Sequence, residues 1–145
     1  MSDDAPREHW AYTHLDRVRF GDLDAMRHLN NVAFLGFFED ARVAYVRSLL
    51  GDDGPPTRSG FGLIFAECQI HYRAPAFLGE EIRTSIRPVE VARSSVRLAF
   101  AMRASADERL LAEGYGVVVG YDYGNGRTMP LPDEFKARLA ASRGA

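Results

Sequence analysis

The sequence is short of cysteine and of clustered metal ligands. Cys68 is the only cysteine among 145 residues, so the chain forms no internal disulfide, and we expect a reducing, cytoplasmic compartment. Cys68 also lies inside an alternating apolar run, where a buried, inert thiol is a better interpretation than a nucleophile. The four histidines are scattered along the chain, and with a single cysteine they predict no metal site.

Long apolar runs and nucleotide-binding motifs are also missing. No stretch approaches the ~20 apolar residues that a membrane-spanning helix needs, so we expect no membrane partner. Neither G-x-x-x-x-G-K nor G-x-G-x-x-G occurs, which excludes the fingerprints of nucleoside-triphosphate and dinucleotide sites. The formal net charge is −2, so the overall charge does not favour nucleic acid.

What remains is the composition of one ordinary globular domain. The chain is 46% hydrophobic and 26% charged, and 145 residues are enough to close a single hydrophobic core. No repeat or linker divides residues 1–145, so we predict one domain. Its first segment, residues 1–12, is polar and is expected to be a loose arm.

The first half of the chain predicts one strand and one long helix. Weak alternation over residues 15–20 predicts a short strand. The segment from Asn31 to Leu50 is helical in character, with an N-cap at Asn30 or Asn31 and a stop at Gly51. Apolar residues cover more than half of its circumference, which predicts a helix mostly enclosed by protein. The Gly- and Pro-containing run that follows predicts a surface loop over residues 51–60.

The second half is dominated by a period of two. Alternating apolar and polar residues predict strands over residues 64–73, 82–87, 96–103 and 110–122. Gly114 and Gly116 fall inside the last strand, where glycine indicates close backbone approach. A short amphipathic helix is predicted over residues 133–141. This order, β-α-β-β-β-β-α, predicts an α+β fold in which an antiparallel sheet of about five strands curls around one long helix.

The loop before the long helix concentrates groups suited to acyl-transfer chemistry. Asp22 and Asp24 precede a helix start rich in donors, from the side chains of His28, Asn30 and Asn31 and from unpaired backbone N–H groups. A helix N-terminus stabilises negative charge that develops on an oxygen. A carboxylate beside it can attack an activated carbonyl or take a proton from water. By themselves, however, such residues are more often helix caps and structural hydrogen-bonding groups.

The order of these residues resembles the opening signature of the 4-hydroxybenzoyl-CoA thioesterase family. That signature reads approximately F-G-D-x-D-x-x-G-H-x-N-N and is followed by an aromatic helix with E-x-A-R. The matching segments are Phe20-Gly21-Asp22-Leu23-Asp24, His28-Leu29-Asn30-Asn31 and Glu39-Asp40-Ala41-Arg42. Later matches are Tyr72-Arg73-Ala74-Pro75-Ala76 with Gly79-Glu80, Arg93-Ser94-Ser95, and Leu131-Pro132 before the last helix. The resemblance therefore covers about residues 15–139.

The resemblance implies a hotdog fold, in which the curled sheet wraps the long helix, and an active site between the protomers of a homodimer or a dimer of dimers. It assigns the nucleophile or general base to Asp24 and the carbonyl-polarising backbone N–H to Asn31. Asp22, His28 and Asn30 are expected to support them. It implies no cofactor, because CoA enters only as part of the substrate.

Two positions bear on substrate binding. The glycine that usually precedes the motif histidine is Arg27 in this sequence. A side chain therefore occupies a position where the family has only backbone, and we expect it to affect the shape of the loop and the selectivity for the acyl group. Arg93, with Ser94 and Ser95, lies at a predicted turn between strands. These residues can hold the phosphate oxygens of CoA or form an ordinary exposed turn, and the sequence leaves both interpretations open.

The leading functional hypothesis is an acyl-CoA thioesterase, which hydrolyses a fatty or aromatic acyl-CoA to the free acid and CoA. A thioesterase acting on acyl carrier protein and a non-catalytic hotdog protein that binds acyl-CoA are the alternatives. The combination of Asp24 with the Asn30-Asn31 helix start favours catalysis. The acid/base motifs of hotdog dehydratases and hydratases are absent. The sequence does not decide whether Asp24 attacks the thioester or activates a water molecule.

Overall fold

The computed structural model describes residues 9–51 and 61–143. Residues 1–8 of the predicted arm and residues 52–60 of the predicted surface loop lie outside the described residues, and residue 12 already belongs to the first strand. The strands are β1 (Tyr12–Arg17), β2 (Phe61–Tyr72), β3 (Glu81–Val91), β4 (Ser95–Ala104), β5 (Leu110–Asp122) and β6 (Arg127–Thr128), and the helices are α1 (Asn31–Leu50) and α2 (Asp133–Arg143).

The strands form one antiparallel sheet with α1 against one face. Its order is β1-β3-β4-β5-β2, and β6 pairs with β5. The predicted α+β class, the five long strands and the two helices are confirmed. The sequence missed β6, which has only two residues and is too short for a periodic pattern. Among the described residues, no helix combines the length and apolarity needed to cross a membrane.

The predicted bounds of the first strand are wrong. Strand β1 ends at Arg17, which pairs with Glu81, the first residue of β3. The partner strand therefore stops there, and the chain leaves the sheet after the buried Val18. Phe20, which the alternation placed in the strand, lies instead in a 3₁₀ turn and is 81% exposed.

Helix α1 has the predicted bounds because both of its ends carry capping residues. The Asn30 side chain accepts a hydrogen bond from the Val32 N–H at 3.0 Å, and Gly51 ends the helix with a φ of 84°, a conformation that glycine adopts at little cost. The prediction that protein encloses the helix is wrong for the single chain. One stripe is buried, while Val32 on the other side is 74% exposed. The buried residues are Phe34, Phe37, Phe38, Ala41, Tyr45 and Leu49.

Two glycines of β5 allow close packing, Gly116 against the helix and Gly114 against strand β2. Phe38 stacks on Phe100 with ring centroids 4.3 Å apart. A Cβ at Gly116 would lie 2.7 Å from both the Phe38 and the Phe65 rings. A Cβ at Gly114 would lie 1.9 Å from the Gln69 carbonyl oxygen. The close approach predicted for these glycines is therefore confirmed.

A β-bulge at Ala66 breaks the predicted alternation of β2. Phe65 is paired with Val118 and Glu67 with Val117, so Ala66 is an extra residue. As a result Phe65, which the alternation placed on the opposite face from Cys68, points to the helix side and reaches Phe38, with ring centroids 6.1 Å apart.

Cys68 is half-buried rather than fully buried. Burial raises the pKa of its thiol, against the opposing field of Arg42, so the thiol stays protonated at neutral pH. This agrees with the interpretation of Cys68 as an inert residue.

Candidate active site

The loop that carries Asp24 is a small hairpin. The Asp24 N–H donates to the His28 carbonyl and the Arg27 N–H donates to the Asp24 carbonyl, each at 3.0 Å, while Leu23 and Leu29 form an isolated antiparallel bridge. This is the pattern of a three-residue hairpin loop, whose last residue adopts the left-handed conformation. Aspartate is favoured at the first position of the turn, which is the position of Asp24.

Arg27 occupies that left-handed position. Its φ is 66°, and its side chain is exposed. The loop therefore keeps the shape that a glycine allows, although a residue with a Cβ pays about 1–2 kcal/mol for this conformation. The arginine therefore strains the hairpin but leaves its hydrogen bonds intact.

The Asp24 carboxylate is held by one oxygen and open at the other. Oδ1 accepts a hydrogen bond from the Met26 N–H at 2.8 Å. Oδ2 lies 3.5 Å from His28 Nδ1, and the Asp24 side chain is 31% exposed. The fixed oxygen orients the carboxylate, and the second oxygen remains accessible to a water molecule or a substrate carbonyl. His28 therefore lies beside the Asp24 carboxylate, and its supporting role stays a prediction.

Asp22 has a different role in the same loop. Its Oδ2 accepts a hydrogen bond from the Arg19 N–H at 2.9 Å, which closes the 3₁₀ turn. Its backbone carbonyl accepts from the Asn30 N–H at 2.9 Å. Asp22 therefore joins the hairpin to the start of α1, and its carboxylate is engaged in the turn.

The start of α1 leaves one backbone donor open. The Asn30 side chain accepts from the Val32 N–H, and the Asn30 carbonyl accepts from the N–H groups of Ala33 and Phe34. Within residues 9–51 and 61–143, the Asn31 N–H has no acceptor. It is an unpaired donor at the positive end of the helix dipole, which suits an oxyanion.

Tyr72 contacts the start of α1, although the sequence did not single it out as a candidate site residue. Its hydroxyl donates to the Asn31 carbonyl at 3.0 Å, and its ring contacts Phe34 edge-on with centroids 5.2 Å apart. The hydrogen bond from Tyr72 therefore ties the peptide group that follows Asn31 to strand β2. The one feature of the sequence that could have indicated this contact is the place of Tyr72 in the motif match. Otherwise a part-exposed tyrosine in an alternating strand indicates only that its ring packs on a neighbour.

The segment before β3 braces the loop from the other side. The Leu29 N–H donates to the Ala76 carbonyl at 2.7 Å. This segment is held in turn by Arg109, which contacts both oxygens of Glu80 at 2.7 and 2.8 Å and the Pro75 carbonyl at 3.3 Å. Nothing in the sequence linked Arg109 to the site, because it lies in the distant turn between β4 and β5.

An acidic surface pocket adjoins the loop but excludes Asp24. It has a volume of about 250 Å³ and is lined by Asp22, Asp16 and Asp40 among others. Burial raises the pKa of Asp40, and a hydrogen bond to the neighbouring Asp16 raises it further. Among the described residues, no group of three or more His, Cys, Asp or Glu side chains is arranged to hold a metal ion.

Arg93, Ser94 and Ser95 do not meet Asp24 within one chain. The turn that carries them follows Val91, the last residue of β3. The Asp24 loop instead follows Arg17, which pairs with Glu81, the first residue of β3. The two places lie at opposite ends of an 11-residue strand, a distance of roughly 30 Å along it. Arg93 is exposed, and its carbonyl accepts from the Leu131 N–H at 2.9 Å.

Solved structures of similar proteins cover nearly the whole chain. A thioesterase from Thermus thermophilus, complexed with coenzyme A and Zn, is 32% identical with a TM-score of 0.81, over 95% of this chain and 98% of that chain. A thioesterase superfamily protein from Jannaschia sp. CCS1 is 28% identical with a TM-score of 0.83, over 97% of this chain and 86% of that chain. A 1,4-dihydroxy-2-naphthoyl-CoA thioesterase from Synechocystis shares the fold at 18% identity and a TM-score of 0.80, over 89% of this chain and 95% of that chain.

The family model agrees with these structures. No curated protein matches the chain significantly. The model of the thioesterase-like superfamily matches residues 18–139, which include the hairpin, α1 and all the long strands of the sheet except β1. The predicted hotdog fold and the predicted thioesterase family are confirmed. The chain therefore belongs to the thioesterase-like superfamily.

Proposed function

We propose that the protein hydrolyses acyl-CoA thioesters, with Asp24 and the Asn31 N–H as its catalytic groups. The observation that carries this proposal is the unpaired Asn31 N–H at a helix N-terminus, joined through Asn30 and Asp22 to the hairpin that presents the Asp24 carboxylate. The 32% identical relative complexed with coenzyme A adds support.

In this reaction the thioester carbonyl accepts a hydrogen bond from the Asn31 N–H. Negative charge develops on that oxygen as an oxygen nucleophile adds to the carbon, and the N–H and the helix dipole stabilise it. In one route Asp24 Oδ2 takes a proton from a water molecule that adds to the acyl carbon, and this proton passes to the CoA sulfur as the C–S bond breaks. In the other route Asp24 Oδ2 adds to the acyl carbon, and the C–S bond breaks to leave an acyl anhydride and the CoA thiolate. Water then hydrolyses the anhydride, which releases the acid, regenerates the Asp24 carboxylate and supplies the proton of the CoA thiol.

The experiment that tests this assignment compares Asp24→Asn with Asp22→Asn. Asparagine keeps the hydrogen bond to the Met26 N–H but removes basicity and nucleophilicity, so Asp24→Asn is expected to lower kcat by roughly 10²–10⁴-fold. Asp22→Asn is expected to lower kcat much less, because the Asp22 carboxylate is engaged by Arg19. Thiol release from a panel of short, medium, long and aromatic acyl-CoAs measures both.

The same measurement distinguishes this function from the non-catalytic alternative. A non-catalytic acyl-CoA-binding protein binds the panel in calorimetry but releases no thiol even as wild type. Near-normal turnover by Asp24→Asn, in a protein with unchanged circular dichroism, would return Asp24 to a purely structural role in the hairpin.

We further propose that the CoA phosphates are held by the partner's Arg93 in a homodimer. Strand β2 is the edge of the sheet after β5, and its outer edge is unpaired within the described part of the chain. Two-fold antiparallel pairing of β2 with its copy places the partner's Phe61 end beside Tyr72, which contacts Asn31. The Ser94 carbonyl accepts from the Gly120 N–H, so the turn that carries Arg93 lies at the Phe61 end of the sheet and reaches this protomer's site only from the partner.

Mixed dimers test that arrangement. Arg93→Ala is expected to raise KM for acyl-CoA with little change in kcat. If the site is shared between chains, a dimer of one Asp24→Asn and one Arg93→Ala protomer contains one intact site and one doubly altered site. Co-expressed variants should then recover kcat/KM above either variant alone. No recovery, or a fully active monomer in sedimentation, contradicts the shared site. The cytoplasmic location and the absence of any cofactor, with CoA entering only as part of the substrate, stay predictions.

A further inference from the structure

One row of α1 leads away from the open Asn31 N–H along strand β2. Asn31, Leu35, Phe38 and Arg42 are spaced i, i+4, i+7 and i+11, so they follow each other along one face of the helix. Contacts at both ends show that this face meets β2: the Tyr72 hydroxyl donates to the Asn31 carbonyl, and Arg42 lies over the Phe65 ring. The row is roughly 16 Å long.

The row ends at Arg42, a cation that is paired with no anion among the described residues. The Arg42 guanidinium lies 4.3 Å from the Phe65 ring centroid and 5.8 Å from that of Phe38. Burial lowers its pKa, against the field of Glu39 one turn earlier, yet in the described part of the chain Arg42 forms no ion pair and donates no hydrogen bond to a side chain or carbonyl. As far as residues 9–51 and 61–143 are concerned, this partly dehydrated guanidinium therefore keeps its N–H donors for an incoming acceptor.

The groups between the two ends are apolar. Leu35 is 38% exposed on the row, Phe65 is 42% exposed opposite it, and half-buried Cys68 lies between Phe65 and Tyr72 on the same face of β2. The bulge at Ala66 is what turns Phe65 to this side, where it supports Arg42. The row therefore joins an oxyanion donor to a cation across an apolar surface.

We propose that Arg42 is the specificity-determining residue that binds a carboxylate at the far end of the acyl group, so the preferred substrates are medium-length ω-carboxyacyl-CoAs. This rests on the proposed function, since the thioester carbonyl must lie at Asn31. The side chain of Arg42 leans toward the helix N-terminus, which shortens the span to one that a medium-length acyl group bridges. The carboxylate supplies an anion that Arg42 does not have among the described residues, and the methylene groups cover Leu35 and Phe65.

Matched substrate pairs test this proposal. Suberoyl-CoA and octanoyl-CoA, and likewise adipoyl-CoA and hexanoyl-CoA, differ only at the far end. For the wild type we expect kcat/KM to favour the carboxylated member of at least one pair by tenfold or more. Arg42→Met keeps an unbranched apolar side chain but removes the charge. It should lower the ratio of the two kcat/KM values by roughly 10–100-fold, which is the loss expected when a hydrogen bond to a charged partner is removed.

Two further variants sharpen the result. Arg42→Lys keeps the charge and should restore part of the ratio. Arg47→Met removes a charge from the exposed opposite side of the same helix and should leave the ratio unchanged. Because each ratio compares two substrates on one protein preparation, a partial folding defect does not alter it.

The outcomes separate this proposal from the proposed function. If the wild type hydrolyses both members of each pair equally, or if Arg42→Met lowers both equally or only dissociates the dimer, the assignment of Arg42 is wrong while the thioesterase stands. If no thiol is released at all, the proposed function fails, and calorimetry decides on Arg42 alone. Tenfold tighter binding of suberoyl-CoA than of octanoyl-CoA, lost in Arg42→Met, then supports the contact, and equal binding overturns it.

Discussion

Replacing Arg27 by glycine tests whether the Asp24 hairpin is strained. Arg27 has a φ of 66° and its side chain has no hydrogen bond or ion pair within the described residues, so it contributes little that a substitution would remove. Arg27→Gly relieves the left-handed conformation, worth about 1–2 kcal/mol for a residue with a Cβ. Against this, glycine gives the unfolded chain extra freedom, which costs about 0.5–1 kcal/mol. We expect the free energy of unfolding to rise by about 0.5–1 kcal/mol.

The assay is urea unfolding, followed by circular dichroism at one protein concentration for all variants because dimer formation couples stability to concentration. For a domain of this size the gain corresponds to a Tm increase of roughly 2–3 °C. Arg27→Ala removes the same side chain but keeps the Cβ, so it should give no gain. Glu108 also has a positive φ, of 61°, but pairs with Arg83. Glu108→Gly therefore loses a contact and should gain less.

A stabilisation by Arg27→Ala as large as that by Arg27→Gly would refute this reasoning, because the effect would then come from removing charge or length. A loss of stability in Arg27→Gly would show that the hairpin does not need the left-handed residue.

Two further predictions concern packing and pH. Gly114→Ala should destabilise strongly or prevent folding, because its Cβ would lie 1.9 Å from the Gln69 carbonyl oxygen. Gly36→Ala, in α1 with nothing within 4 Å of the added Cβ, should instead stabilise by about 1 kcal/mol; equal effects in urea unfolding would contradict the packing described for β5 and β2. For Asp40, burial and Asp16 raise the folded-state pKa, so its ionisation destabilises the fold as pH rises above the ordinary carboxyl value. Asp40→Asn should therefore stabilise at pH 7, by on the order of 0.5 kcal/mol for a mostly exposed pair, and the gain should disappear below about pH 4. A gain that persists or grows in acid contradicts the sign.

Much of the candidate site could be named from the sequence because its residues are close together along the chain. The hairpin, the N-cap and the first turn of α1 all lie within residues 22–34, and local hydrogen bonds build them. Tyr72 and Arg109 could not be identified this way. They contact the candidate site from a strand and a turn that are dozens of residues away along the chain. An alternating pattern predicts which face of a sheet a residue lies on, but it does not predict the residues that its side chain contacts.

The same distinction applies to Arg93. Its place in a turn was readable from the sequence, and the structure confirms that turn between β3 and β4. Its distance from Asp24 was not readable, because that distance depends on which end of the sheet each turn occupies. Only the strand order and register show that the two residues lie at opposite ends of β3 within one chain, which is why the proposed phosphate contact takes Arg93 from a second chain.

The sequence by itself determined the elements that local chemistry controls. The bounds of α1 follow from Asn30 and Gly51, whose capping conformations depend on their immediate neighbours, and the long strands follow from a period of two. The tertiary structure decided where β1 ends, since that depends on the length of β3. It also decided which side of β2 Phe65 occupies, since one bulged residue reverses the alternation, and which face of α1 is buried. These properties depend on pairing and packing between distant segments, and no short stretch of the sequence determines the free energies of those contacts.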